Sequence, residues 1–530
     1  MSDAVTPRVT EDEPLSYSTQ VHKPIYVFHG STAPAYRLSF ARETGPHPDT
    51  LIGWVPALRP SDLGAPSFRE THQCAFAYYA GSMANGIASE DFVGALTQHG
   101  ILAFFGAAGL LPQRIEAAVK RLRMRYPHHP WGCNVINTPG DSGWQEHVVD
   151  LLLAHDVRCV EASAYVVPSP ALIRYRLHGI HEGDGGKIVV PNRIIAKVSR
   201  TEVADRFFAP PADRVVKKLR EQGLLTEEQA LLAKHIPLAD DVTAEADSAG
   251  HTDHRPALVL LPVISAVRDR WRKAYDNRIT LRVGLAGGIG TPMAAAAAFE
   301  LGADYIVTGS VNQSCVEAGT STLVKNMLAE AAYTDVDTAP AADMFEMGVT
   351  VQVLKKGTRF ALRARKLYDL YKSYETLDAL PTEVREQIET EIFRKSLTKV
   401  WEETRAFFLE RDPSQVAKAE TDPRHRMALV FRWYLGLSSA WANAGVEERR
   451  DDFQIWCGPA MGAFNDWVRG SFLEATQERR AVTVAWNILY GAAIILRARA
   501  LQRLGVPVRL PAQGPEPLTL EAAQQQGLFP

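Results

Sequence analysis

Cysteine is scarce in this chain, with five thiols (Cys74, Cys133, Cys159, Cys315 and Cys457) among 530 residues. No two of them stand as CxxC, which argues against a structural zinc site and for a reducing compartment. An excess of one charge is also lacking. The 58 lysines and arginines face 61 acids, a net charge of −3. That balance offers no global electrostatic case for nucleic acid or a membrane surface as partner. The N-terminal "MSDAVTPRVTEDEPLS" has neither the basic start nor the apolar core of a signal peptide. The longest uncharged run, Ala481 to Leu496, is short for a bilayer crossing and carries Thr483 and Asn487, so it reads as a buried helix. These absences predict a soluble, cytoplasmic protein, large enough for two domains or one elaborated domain.

What the chain does have is alternation. Between Cys74 and Gly319 eight short apolar runs, "AFAYYAG", "ILAFFGA", "WGCNVIN", "CVEASAY", "RIIAKVS", "DVTAEAD", "LRVGLAGG" and "YIVTGS", each precede helix-length sequence. Repeated strand–helix units imply a parallel sheet with right-handed crossovers, and eight of them point to an α/β fold of the (β/α)8 TIM barrel type. An open doubly wound sheet is the alternative. The expected organisation is an N-terminal extension (1–70), a barrel (71–325) with a helical insertion at about 205–240, a helical appendage (326–505) and a tail (506–530). Strand patterns vanish from Asn326 onward, where amphipathic helices take over, and the proline- and glutamine-rich tail reads as loosely ordered.

Glycines mark several strand ends. Gly287, Gly288 and Gly290 lie between the seventh run and a helix that Thr291 and Pro292 can start, and Gly309 and Ser310 end the eighth. Glycine there lets backbone N–H groups approach an anion at a helix N-terminus, and loops seven and eight of a barrel commonly hold phosphate. The spacing is neither GxxxxGK[ST] nor a clean GxGxxG. Bare tight turns are the alternative. The first run ends in Gly81, Ser82, Met83 and Ala84, a small-residue segment able to lie against a flat ring.

Polar residues inside apolar runs are the other signal. A buried Asn134 must be hydrogen-bonded to backbone or ligand. A buried Lys197 needs a carboxylate, a phosphate or an electron-rich ring, so ligand contact and a structural ion pair both stay open. In "DVTAEADSAGHTDHRP", Glu245, Asp247, His251, Asp253, His254 and Arg255 crowd a strand end without regular metal-ligand spacing. A histidine at that end suits acid–base or hydrogen-bonding work.

Together "AGSMANGIAS", Asn134, "EADSAGHTD", "GLAGGIG" and "VTGS" resemble the flavin-dependent enoyl reductase and nitronate monooxygenase barrels. "MANGIASEDFVGAL", "LAFFGAAGLLP", "LKKGTRFALRARKLYDLYKSY" and "WCGPAMGAFNDWVRGSFLE" narrow the resemblance to the PfaD type, free-standing enoyl reductases of polyunsaturated fatty acid and polyketide synthases, from about Leu51 to Leu473. The resemblance implies FMN at the barrel mouth, with Gly287, Gly288, Gly290, Gly309 and Ser310 at the phosphate. Gly81, Ser82, Met83, Asn134, Lys197 and Asp247 are the other expected cofactor contacts, and no metal is expected. It also implies NADPH or NADH as reductant, and an enoyl thioester on acyl carrier protein as substrate. His251 would be the proton donor or the oxyanion donor. Ala249–Gly250 replaces the double glycine usual before that histidine. Nitronate oxidation and a non-catalytic scaffold role are the alternatives, and a homodimer is one open oligomeric state. Lys355, Lys356, Arg359, Arg363, Arg365 and Lys366 form a basic segment that would suit an acidic carrier protein, or else a helix face with internal ion pairs.

Overall fold

All eight apolar runs form strands: Tyr78–Ala80 (β1), Leu102–Phe105 (β2), Trp131–Ile136 (β3), Cys159–Ser163 (β4), Arg193–Val198 (β5), Asp241–Glu245 (β6), Arg282–Ala286 (β7) and Ile306–Thr308 (β8). In this computed structural model, which describes residues 13–30, 36–42, 49–137, 142–250 and 252–529, they are parallel and close into a barrel. The seam is β8 on β1, with Ile306 opposite Tyr78 and Thr308 opposite Ala80. Seven helices follow in order: Glu90–Thr97 (α1), Pro112–Arg125 (α2), Ser142–Ala154 (α3), Pro170–Leu177 (α4), Thr201–Phe208 (α5), Ala257–Ala274 (α6) and Pro292–Glu300 (α7). Ser89 caps α1 through the Phe92 N–H, and Thr291 caps α7 through the Ala294 N–H. The helical insertion appears between α5 and β6 as Asp213–Glu221 and Glu227–Leu232.

The barrel interior is layered because alternate residues of a strand face the same side. On β6 those residues are Asp241, Thr243 and Glu245, all buried. In the lowest layer Asp241 is held by Arg282 (2.5 and 3.0 Å) and His72 (2.9 Å). Burial alone would raise the Asp241 carboxyl, but Arg282 and His72 outweigh it and hold it well below its ordinary 3.8. In the middle layer the Thr243 hydroxyl meets Tyr79 (3.1 Å) and Tyr305 (2.9 Å). Gly284 is required there, since a Cβ would lie 2.1 Å from the Tyr305 ring. The top layer belongs to the site.

Three features differ from the expectations. The eighth barrel helix does not follow β8. It is Ala481–Arg503 (α8), which packs between α7 and α1 after an excursion of the chain through residues 309–480. This helix is long and apolar enough to cross a membrane, yet 94% of its apolar window is buried in the fold. Residues 481–503 therefore complete the barrel's helical layer instead of extending an appendage. Second, the excursion is not purely helical. Val336–Pro340 and Thr350–Leu354 pair as an antiparallel hairpin, two five-residue strands too short for a clear alternation signal. Third, the tail is packed: Leu520–Gln525 is helical, and Phe529 meets Trp486 edge-on at 5.7 Å. The N-terminal residues contribute a three-stranded antiparallel sheet (Ile25–His29, Tyr36–Ser39, Thr50–Val55) against the end of α8.

Candidate active site

A cavity of about 1240 Å³, open mouth included, lies at the C-terminal ends of the strands. Strand β1 contributes Gly81, Ser82, Met83 and Ala84, and β3 contributes Asn134. Lys197 comes from β5, Glu245 and Asp247 from β6 and its loop, and Gly287, Gly288, Gly309 and Ser310 from the ends of β7 and β8. The sequence-predicted residues thus meet in one place, with two exceptions. Gly290 is not among the lining residues. A Cβ there would lie 2.4 Å from the Ala460 carbonyl, so this glycine serves close packing of the excursion on the turn before α7. His251 lies outside the described residues.

The glycines divide by what surrounds them. Gly287 has φ +93°, and a Cβ would sit 2.8 Å from the Ala246 backbone, so its absence of side chain is a folding requirement. Gly288 has φ +75° and Gly309 an ordinary negative φ, and at both a Cβ would meet nothing within 4 Å. Two neighbouring strand ends therefore leave their backbones open to the cavity.

The floor is charged. Glu161, fully buried on β4, accepts from the Ser82 N–H at 3.0 Å and from the Ser82 hydroxyl through the same oxygen. Lys197 Nζ lies 2.6 Å from Glu245 and 3.9 Å from the other Glu161 oxygen, which has no hydrogen bond of its own. Burial would lower the Lys197 pKa, but Glu245 and then Glu161 more than reverse this, so the ammonium stays charged. Lys197 is thus held in a structural ion pair and also lines the cavity. The Ser82 N–H and hydroxyl are both spent on Glu161, so neither is free for a ring. Asn134 gives its amide N–H groups to the Glu161 carbonyl (3.2 Å) and the Ser163 hydroxyl (3.1 Å), leaving its oxygen as the free group.

The excursion supplies the roof. Val351, Trp456, Gly458, Pro459 and Ala460 line the cavity, and the Gly458 N–H donates to Ser310 Oγ at 3.0 Å. Gln352 and His254 both hydrogen-bond Asp247, each at 2.7 Å. Glu161 and Gln352 were not singled out in the sequence. The signal was available: each is a polar residue inside an apolar strand run, "CVEAS" and "TVQVL", as Asn134 and Lys197 are. Among the described residues, no group of three His, Cys, Asp or Glu side chains is arranged to hold a metal ion.

The basic segment is divided between paired and exposed cations. Arg363 pairs with buried Asp452, and Arg365 holds Asp337 by two bonds of 2.6 and 2.7 Å. Lys366 donates to Gln387 at 2.5 Å, and Lys356 to the Glu330 carbonyl at 2.7 Å. Arg363 and Arg365 are thus neutralised by acids from distant positions in the chain, while Lys355, Lys356 and Arg359 stay exposed.

Similarity to known proteins follows the same architecture. Residues 374–453 match the inserted helical domain of acyl-carrier-protein S-malonyltransferase. The chain is 44% identical over 466 residues to a polyunsaturated fatty acid synthase component of Thraustochytrium sp., covering 86% of this chain and 31% of that one. It is 42% identical over 438 residues to polyketide biosynthesis protein PksE of Bacillus subtilis, covering 82% of this chain and 57% of that one. The chain thus spans well under two thirds of these curated relatives. Among solved structures, the enoyl reductase domain of MlnA from the macrolactin biosynthesis cluster of Bacillus amyloliquefaciens is 39% identical, with a TM-score of 0.79. That alignment covers 84% of this chain and 99% of that domain.

Proposed function

Because this chain belongs to the PfaD-type enoyl reductases of polyunsaturated fatty acid and polyketide synthases, we propose that it reduces 2-enoyl thioesters carried on acyl carrier protein, with FMN as cofactor and NADPH or NADH as reductant. The observation that carries the reading is the pair Gly288 and Gly309, whose missing side chains leave open space in one cavity at adjacent strand ends. That is the room a phosphate needs to reach backbone N–H groups. A bound FMN would supply hydride transfer between the nicotinamide and the β-carbon of the enoyl thioester.

This chain's residues do the rest. Ser310 Oγ already accepts from the Gly458 N–H, so its own proton is free to donate to a phosphate oxygen. Lys197, kept charged by Glu245 and Glu161, stabilises negative charge that develops above the floor. The free Asn134 oxygen would be an acceptor for a ring N–H of the cofactor. His251 delivers the proton to the α-carbon or donates to the thioester oxygen as it gains enolate character. The match of residues 374–453 to a helical domain of an acyl-carrier-protein enzyme supports a carrier-bound substrate. The test is spectroscopic: purified protein is expected to be yellow, or to become so with added FMN, and to bleach anaerobically with NADPH. A protein that stays colourless after reconstitution contradicts the reading.

A further inference from the structure

Gln352 ties the excursion to the cavity wall. It sits in the Thr350–Leu354 strand opposite Thr338, is 7% exposed, and its carbonyl accepts from the Cys457 N–H at 3.2 Å. Its Nε2 donates to Asp247 Oδ1 at 2.7 Å. A carboxylate only accepts, so the orientation of the amide follows from the contact. His254 Nδ1 lies 2.7 Å from the same oxygen and must carry a proton to bond it. With Oδ1 held from two sides, the carboxylate plane is fixed. Asp247 nevertheless lines the cavity and keeps 43% of its side chain exposed, so its second oxygen is the accessible one.

The surroundings fit a clamp more than a chance contact. His254 is held at φ +53°, a conformation that side-chain-bearing residues visit uncommonly. Gln352 Oε1 is buried without a hydrogen-bond partner, and a Cβ on Gly458 would lie 3.1 Å from it. The amide is therefore confined on both ends. An ordinary packing residue in a "VQV" run would gain from being apolar, because a buried amide with an unpaired oxygen is costly.

We propose that Gln352 is a positioning residue. It fixes Asp247 so that the free carboxylate oxygen is presented to a hydrogen-bond donor of the bound cofactor, and it makes cofactor binding by the barrel depend on the excursion. The proposal rests on the FMN reading, and one experiment separates the two. FMN affinity is measured by fluorescence titration of the cofactor-free full chain for wild type, Gln352→Met, Asp247→Ala and the double variant. The expected result is a loss of about 10- to 100-fold for each single variant, as for a buried hydrogen bond to a charged group. The double variant is expected to be no weaker than Asp247→Ala within about threefold, since Gln352 acts through Asp247. Gln352→Glu, similar in shape but without the donor, is expected to bind FMN no better than Gln352→Met. Wild-type affinity in Gln352→Met or Gln352→Glu, or losses that multiply in the double variant, would overturn the proposal. Failure of the wild type to bind FMN would overturn the cofactor reading and the proposal with it.

Discussion

Replacing Lys197 with methionine removes the cation from the barrel floor while keeping most of its volume. The ammonium lies 2.6 Å from Glu245 and 3.9 Å from Glu161. At an effective dielectric of about 20 those separations correspond to gross attractions of roughly 6 and 4 kcal/mol. Desolvation of three buried charges offsets much of that, so the net effect is read better from what the substitution leaves behind. Two carboxylates, 0% and 8% exposed by side chain, would face each other without a counter-charge. Breaking such a buried arrangement costs about 3–5 kcal/mol. That equals a shift of roughly 1 M in a urea midpoint for a protein with a slope of ~3 kcal/mol/M or more, read from tryptophan fluorescence. Because the Lys197 pKa is raised above its ordinary 10.5, its contribution in the wild type is intact below that value and is lost only in strong alkali. Adding Glu245→Gln to Lys197→Met is expected to restore most of the midpoint. A Lys197→Met variant as stable as wild type at neutral pH, with no recovery from the second substitution, would refute the account of the floor.

Two of the cavity glycines should separate folding from binding. Gly287→Ala forces a Cβ to 2.8 Å from the Ala246 backbone at φ +93°, and is expected to lower stability by about 1–3 kcal/mol in urea unfolding. Gly309→Val meets open space at a negative φ, so a melting curve closer to native with loss of FMN binding is expected. His251→Ala is expected to keep FMN and lose roughly 10²–10⁴-fold in enoyl reduction, measured as NADPH consumption. Asp241 is depressed by Arg282 and His72, so its contribution to stability is present above its ordinary 3.8 and lost as pH falls through its lower folded value. Asp241→Asn is accordingly expected to cost about 3–5 kcal/mol at neutral pH and much less in strong acid, measured by unfolding across pH.

The barrel was legible because its strands are short, largely buried runs, such as Leu102–Phe105, and seven of the eight are followed by a barrel helix, some with a clear start signal such as Ser89. The glycine ends and Asn134 were legible for a related reason: a residue type that disagrees with its surroundings needs a local cause. The same rule would have reached Glu161 and Gln352. What it could not reach was pairing at a distance. Nothing in the run at Lys355–Lys366 announces that Asp452 and Asp337 neutralise Arg363 and Arg365. Nor does the periodicity of Ala481–Arg503 give an address. An apolar helix states that it will be buried, not that it will close a ring opened about 170 residues earlier.

The central claim is enoyl reduction at this cavity, and turnover of a crotonyl thioester on acyl carrier protein with NADPH, under anaerobic conditions, tests it most directly. The account predicts one butyryl thioester formed per NADPH oxidised by the FMN-loaded wild type, and loss of that turnover in Gly309→Val. An FMN-loaded protein that oxidises NADPH only when oxygen is admitted, leaving the crotonyl thioester unchanged, would contradict it.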